Sequence, residues 1–114
     1  MQHKDVFLLE TIIEFCDRII KNTKSSDLTY EIFAKNLDLI DQRAFRIEQI
    51  GENAKDLSDS FKDSSPEVEW PKIIAFRNII AHAYGTINTR ILWDIVRNDV
   101  PKLRKYCAAK IGVN

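Results

Sequence analysis

Apolar residues recur at helical spacing through most of this 114-residue chain, which contains only three glycines and three prolines. Between residues 4 and 22 they fall three or four positions apart, the pattern of an amphipathic helix. Alternating strand patterns are nearly absent, so the sequence predicts an all-α protein. The length fits one domain spanning residues 1–114, and we expect an antiparallel bundle of about five helices.

Polar segments and capping residues divide the first half of the chain. A short second helix is expected over residues 29–36, and Asp38 is the predicted N-cap of a third helix that runs to about Asp56. Gly51 lies inside this third helix, where glycine costs about 1 kcal/mol relative to alanine. Its presence predicts that another backbone, or a ligand, passes close to the helix at this point, with tight helix packing as the favoured reason.

A fourth helix is predicted after the polar connector SDSFKDSSPEVE. Pro71 suits the first turn of a helix over residues 71–83, because the first turn has no use for the amide hydrogen that proline lacks. Gly85 is the predicted C′ residue, where a left-handed backbone conformation is favoured. The last turns of this predicted helix therefore carry most of the segment RNIIAHAYG, residues 77–85.

A fifth helix is expected to begin near Asn88 and to reach about Lys110. Pro101 lies inside this range and removes a backbone donor, so it is predicted to break or restart the helix. Asp99 is the predicted cap of the continuation.

Composition favours a cytoplasmic protein that makes no contact with a membrane. No uncharged apolar run approaches the roughly 20 residues that a membrane helix needs, and the N-terminal MQHKDVFLLE lacks the apolar core and cleavage site of a signal peptide. The two cysteines, Cys16 and Cys107, lie at helical apolar spacing. We expect them to be reduced thiols of the core.

Charge is balanced overall but uneven along the chain. Residues 1–69 hold nine Lys and Arg against fifteen Asp and Glu, whereas residues 70–114 hold eight against two. The net charge of zero gives no reason to expect nonspecific binding to nucleic acid. The basic C-terminal part is nevertheless able to attract a polyanion locally.

The segment RNIIAHAYG, residues 77–85, brings together a cation, an acid–base group and a phenol. On a helix Asn78 and His82 share a face, so the Asn78 amide can orient the imidazole. Arg77 lies about 140° around the helix from His82, but its long side chain can reach the same end. A purely structural alternative remains, in which His82 interacts with the helix dipole and Arg77 and Tyr84 make a salt bridge and a packing contact.

Other catalytic arrangements have little support in the sequence. A histidine-based metal site needs several ligands at suitable spacing, and the second histidine, His3, lies near the N-terminus without a His-x3-His pattern. Glycine-rich phosphate loops and the Gly-x-Ser-x-Gly elbow are absent. Glu48 and Glu52 lie one helical turn apart and could act as acid and base, but exposed carboxylates at this spacing are common. We therefore expect neither a metal nor a cofactor.

Arginine and histidine without a metal suit the cleavage of RNA by its own 2′-hydroxyl group. Histidine titrates near neutral pH and moves protons, while arginine binds a phosphate through two parallel hydrogen bonds. The reaction requires both an acid and a base, and the segment supplies only His82. A twofold homodimer would place two copies in one cleft. An enzymatic role therefore predicts dimerisation.

The spacing Arg77-x4-His82-x-Tyr84 resembles the signature of the HepT-like toxins, a branch of the HEPN superfamily of small helical proteins. The resemblance covers nearly the whole chain and includes the first amphipathic helix, IEQIGENAK, Trp70, Trp93 and DVPKLRK. Asn53 stands where the family more often has alanine, and this departure bears only on local packing.

The resemblance implies a homodimeric, metal-independent ribonuclease toxin of HEPN-like fold that acts on RNA. Arg77 and His82 would be its catalytic residues and Asn78 a supporting polar residue. The resemblance also implies a partner, a minimal nucleotidyltransferase antitoxin that transfers AMP from ATP to Tyr84. The alternative is a noncatalytic helical subunit that docks on a nucleotidyltransferase and presents a substrate to it. The presence of Arg77, His82 and Tyr84 together favours the ribonuclease.

Overall fold

The chain is all-helical throughout the residues that the computed structural model describes, which are 1–25, 28–81 and 88–114. This part of the chain contains no β-strand, as the sequence predicts. In chain order its elements are α1 (His3–Ser25), α2 (Tyr30–Lys35), α3 (Leu37–Asp56), α4 (Asp59–Asp63), α5 (Trp70–Ala81), α6 (Thr89–Asp94), a π-helical turn (Ile95–Asp99) and α7 (Val100–Ile111).

The long helices pack together through the apolar faces that the sequence predicts. Helix α1 packs against α3 and α7, and α3 also packs against α5. The largest apolar side chains that this packing buries completely are Leu9, Ile12 and Ile19 of α1, Ile47 and Ile50 of α3, and Phe76 of α5. None of the helices in the described ranges is both long enough and apolar enough to span a bilayer.

Both cysteines are free and buried, which confirms that they are core thiols. Burial raises the pKa of the Cys107 thiol to about 12. Burial, with a smaller contribution from nearby Cys107, also raises the pKa of Cys16. Since the thiolate is the reactive form, both groups are poor nucleophiles at neutral pH.

Two predictions about helix boundaries in the first half of the chain are wrong. The N-cap of α3 is Asn36, whose side-chain oxygen accepts a hydrogen bond from the Leu39 amide at 3.1 Å, so Asp38 lies inside the helix. The predicted polar connector after α3 contains the short helix α4, which begins because the Ser58 side chain caps the Phe61 amide at 3.2 Å. In both cases a side-chain oxygen that the prediction did not use, that of Asn36 or Ser58, accepts a hydrogen bond from a free amide of the first turn.

The helix that contains Pro101 continues instead of breaking. A single π-helical turn precedes Pro101, and the Val100 amide bonds to the Ile95 carbonyl five residues earlier. This wider turn accommodates the proline ring, which would otherwise clash with the carbonyl four residues before it. Asp99 makes no capping hydrogen bond; its carboxylate instead lies 3.2 Å from the Lys72 ammonium of α5. The predicted capping role of Asp99 is therefore wrong.

Candidate functional site

Helix α5 carries Arg77 and crosses α3 at Gly51. A Cβ atom placed on Gly51 would lie 2.9 Å from the Arg77 amide nitrogen and 3.2 Å from the Ile73 carbonyl oxygen. The two backbones therefore approach more closely than a residue with a Cβ atom allows unless the helices move apart. This confirms the prediction that another backbone passes close to Gly51, and it fixes the position of Arg77 relative to α3.

The residue that follows Gly51 is the partner of Arg77. Glu52 Oε1 lies 2.7 Å from Arg77 Nε, and the two side chains remain 40% and 36% exposed. The contact is made by Nε, the inner nitrogen of the guanidinium group. Such a contact orients the guanidinium group while leaving it at the surface, where a phosphate can approach.

Sequence reasoning did not assign this role to Glu52. It considered Glu52 only as an acid–base pair with Glu48, because spacing within one helix indicates only neighbours on the same helix. The signal that would have identified the contact was the adjacent Gly51, which marks where α5 passes. The glycine and the glutamate of the sequence IGE thus belong to one helix crossing.

The other predicted site residues are placed only in part. Asn78 is exposed on α5, directly after Arg77. His82 and Tyr84 lie outside the described residues, as does Gly85. The predicted Asn78–His82 pair and the predicted end of the helix at Gly85 therefore stay predictions.

The two tryptophans support the helices on either side of this segment. Trp70 at the start of α5 is buried, and its indole Nε1 donates a hydrogen bond to the Ser65 carbonyl at 3.2 Å. Trp93 of α6 is buried against Phe33, with the ring centroids 5.2 Å apart. These contacts anchor both α5 and α6 to the core.

The part of the chain that the structure describes contains no group of three or more His, Cys, Asp or Glu side chains arranged to bind a metal ion. Its chemically distinctive feature is instead a partly exposed arginine that a carboxylate holds at a close helix crossing.

Comparison with known proteins identifies the family. A family model described as "Ribonuclease HepT-like" matches residues 8–109. The chain belongs to the HepT-like ribonuclease family. It is 36% identical over 107 residues to "Putative RNase MJ1380" of Methanocaldococcus jannaschii, covering 92% of this chain and 95% of that protein. It is also 34% identical over 104 residues to "Probable ribonuclease HepT" of Thermococcus cleftensis, covering 90% and 89%. No solved structure gives a significant match.

The match to the HepT-like family confirms the resemblance found in the sequence. Its range, residues 8–109, includes the crossing of α3 and α5 at Gly51, the Arg77–Glu52 ion pair and the whole RNIIAHAYG segment. The all-α fold also agrees with the resemblance. Family membership therefore covers the same residues that the sequence and the helix packing single out.

Proposed function

We propose that this HepT-like protein is the toxin of a toxin–antitoxin system and acts as a metal-independent endoribonuclease. The observation that carries the proposal is the Arg77–Glu52 contact, which holds a partly exposed guanidinium group in a chain whose relatives are named as RNases. Arg77 and His82 are the catalytic residues, and Asn78 supports His82. The substrate is RNA.

The chemistry follows from the two side chains. His82 removes the proton of a 2′-hydroxyl group, and the resulting oxygen attacks the adjacent phosphorus. The bond to the 5′-oxygen breaks, and that oxygen takes up a proton from an acid. Arg77 stabilises the charge on the phosphate oxygens through its terminal nitrogens. The products are an end with a 2′,3′-cyclic phosphate and an end with a 5′-hydroxyl.

The acid and the base come from two copies of the chain. One His82 cannot both accept the first proton and donate the second within a single concerted displacement, so the site is composite. In a twofold dimer, the same surface of each copy faces the other and one cleft contains two Arg77 and two His82 side chains. The proposed active form is therefore a homodimer.

The proposed antitoxin is a minimal nucleotidyltransferase that uses ATP. The Tyr84 hydroxyl attacks the α-phosphorus of ATP, pyrophosphate leaves, and the phenol loses its proton. The attached AMP adds bulk and negative charge two residues from His82. Both effects oppose the approach of an anionic RNA strand, by occupancy and by charge repulsion.

The test is incubation of the purified protein with total RNA in the presence of EDTA. We expect cleavage that leaves 2′,3′-cyclic phosphate ends, and loss of cleavage in His82→Ala and Arg77→Ala. Arg104→Ala is the matched control, because Arg104 also pairs with a carboxylate, that of Asp17, but does so between α7 and α1. Cleavage that EDTA abolishes and magnesium restores would contradict metal independence. If the wild-type protein cleaves no RNA yet binds the nucleotidyltransferase, the chain is a docking subunit.

A further inference from the structure

Two arginines beyond the RNIIAHAYG segment lie on aromatic rings. The guanidinium carbon of Arg90, on α6, lies 4.7 Å from the centroid of the Tyr30 ring. That of Arg97, in the π-helical turn, lies 5.5 Å from the centroid of the Trp93 ring. Together with Lys24 at the end of α1, these four residues form what we call the basic–aromatic strip.

The rings of the strip are anchored and its cations are exposed. Tyr30 and Trp93 meet edge to face with centroids 6.2 Å apart, and the Tyr30 hydroxyl lies 3.1 Å from Thr89 Oγ1 at the start of α6. Arg97 is exposed, and the Arg90 side chain is 62% exposed. Stacking on a ring orients a guanidinium group without hiding its donors. The cations are therefore presented in fixed positions at the surface.

The far end of the strip opens into a cavity of about 370 Å³ lined by Thr23, Lys24, Leu28 and Arg97. Behind it the buried Arg43 donates a hydrogen bond to the Thr23 hydroxyl at 3.4 Å. The Asp94 carboxylate lies 3.7 Å from Arg90 and is 55% exposed. An exposed pair of this kind contributes little and is screened by salt. Arg90 therefore stays accessible to a phosphate, and the exposed Lys24 and Arg97 add two further cations.

The strip begins close to the proposed catalytic segment. Asn88, which caps α6, lies seven positions after Ala81, the last described residue of α5. Even a fully extended chain of this length spans only about 25 Å. Arg90 and Arg97 are seven residues apart on continuous helix, which is about 10 Å along the axis. An RNA strand that leaves the catalytic segment can therefore pass over both arginines.

We propose that the basic–aromatic strip binds the single-stranded RNA that flanks the cleavage site, with Arg90 and Arg97 contacting successive phosphates and Tyr30 bordering the bases. This inference rests on the proposed function, because it takes RNA as the substrate. Oriented cations with an aromatic surface are the combination that binds single strands without sequence preference. The strip thus supplies affinity, while Arg77 and His82 supply the chemistry.

The test measures binding without cleavage, using a fluorescent single-stranded RNA and the protein in a His82→Ala background. The logarithm of the association constant falls linearly with the logarithm of the salt concentration. Removing one phosphate contact makes this negative slope less steep by about 0.7 and weakens binding about fivefold at 0.1 M salt. For Arg90→Gln/Arg97→Gln we expect a salt slope less steep by about 1.4 and binding weaker by about 25-fold. Lys102→Gln/Lys105→Gln removes the same charge from exposed positions of α7 and should leave the slope unchanged.

Further variants separate a binding role from a structural one. Arg90→Lys/Arg97→Lys keeps the charge and should retain the salt slope, and thermal melts of all three double variants should fall within a few degrees of one another. An unchanged slope in the glutamine variant, in a host that does bind RNA, overturns the proposed strip and leaves the ribonuclease standing. Equal losses of RNA affinity in Arg90→Gln/Arg97→Gln and in the α7 control also overturn the proposed strip. If the His82→Ala protein binds no RNA and the wild-type protein cleaves none, both proposals are overturned.

Discussion

Gly51→Ala tests whether the close crossing of α3 and α5 positions the proposed site. The added Cβ would lie 2.9 Å from the Arg77 amide nitrogen, and ordinary contact begins at 3.4 Å, so the helices must separate by about 0.5 Å. The atoms it meets are helical backbone, which cannot rotate away as a flexible side chain can. Forced overpacking of this kind costs about 1–3 kcal/mol. The better helix propensity of alanine returns about 1 kcal/mol.

The balance is a net destabilisation of about 1 kcal/mol, because the steric cost exceeds the gain in propensity. For a chain of this length it lowers the melting temperature by roughly 4 °C. Activity should fall further than stability does. A shift of about 1 Å in a catalytic group can cost about 100-fold, so a 0.5 Å displacement of Arg77 from its partner should cost about tenfold in kcat.

Gly112→Ala is the matched control. Gly112 has a positive φ of 72° at the end of α7 and open space around it, so alanine there is strained without a steric clash. The expected cost is also about 1 kcal/mol, with a similar loss of melting temperature. Circular dichroism melts and RNA cleavage assays should therefore show two equally destabilised variants, of which only Gly51→Ala loses activity. A Gly51→Ala protein that is as stable as wild type and cleaves within twofold of it would refute the reasoning.

Three other predictions concern the same site. Glu52→Gln should lower cleavage about tenfold by releasing Arg77, while changing stability by less than about 1 kcal/mol, as is usual for exposed ion pairs. The control Glu48→Gln, one helical turn away, should cleave RNA normally. Equal activities of the two variants would contradict the role of Glu52. Light scattering should give about twice the 13.3 kDa chain mass, and an active monomer would contradict the composite site. Tyr84→Phe should retain cleavage but gain no AMP mass with a cognate nucleotidyltransferase and ATP, so labelling equal to wild type would place the modification elsewhere.

Local patterns predicted the helices well because their causes are local. The apolar spacing of α1 and the capping oxygen of Asn88 each act within one or two turns. The wrong predictions arose where two alternative local structures differ little in free energy. Asn36 and Asp38 are both good caps, and the choice between them depends on where α2 ends. Pro101 was expected to break or restart its helix, yet a π-helical turn accommodates it at the cost of one irregular hydrogen bond.

Local sequence patterns could not predict contacts between distant parts of the chain. The Asp5 carboxylate, buried on α1, accepts hydrogen bonds from the amide and hydroxyl groups of Ser58 at 2.8 and 2.6 Å, 53 positions away. Helical periodicity alone places Asp5 in the polar first turn of α1 and does not predict its hydrogen-bond partner. Arg77 and Glu52 are likewise 25 positions apart and meet only because α5 crosses α3. The sequence named Arg77 as a candidate site residue, but finding its partner required the fold.

The adjacency of Gly51 and Glu52 bears on the choice between an enzyme and a docking subunit. Gly51 alone suffices for close packing of α3 on α5, which any stable helical subunit of this fold can use. Glu52 adds little stability, because its ion pair with Arg77 is partly exposed on both sides. A carboxylate that contributes little to folding but fixes the direction of a guanidinium group is more useful for holding a phosphate than for holding two helices together. A docking subunit gains nothing from that orientation, so the Arg77–Glu52 pair favours the ribonuclease independently of His82 and Tyr84.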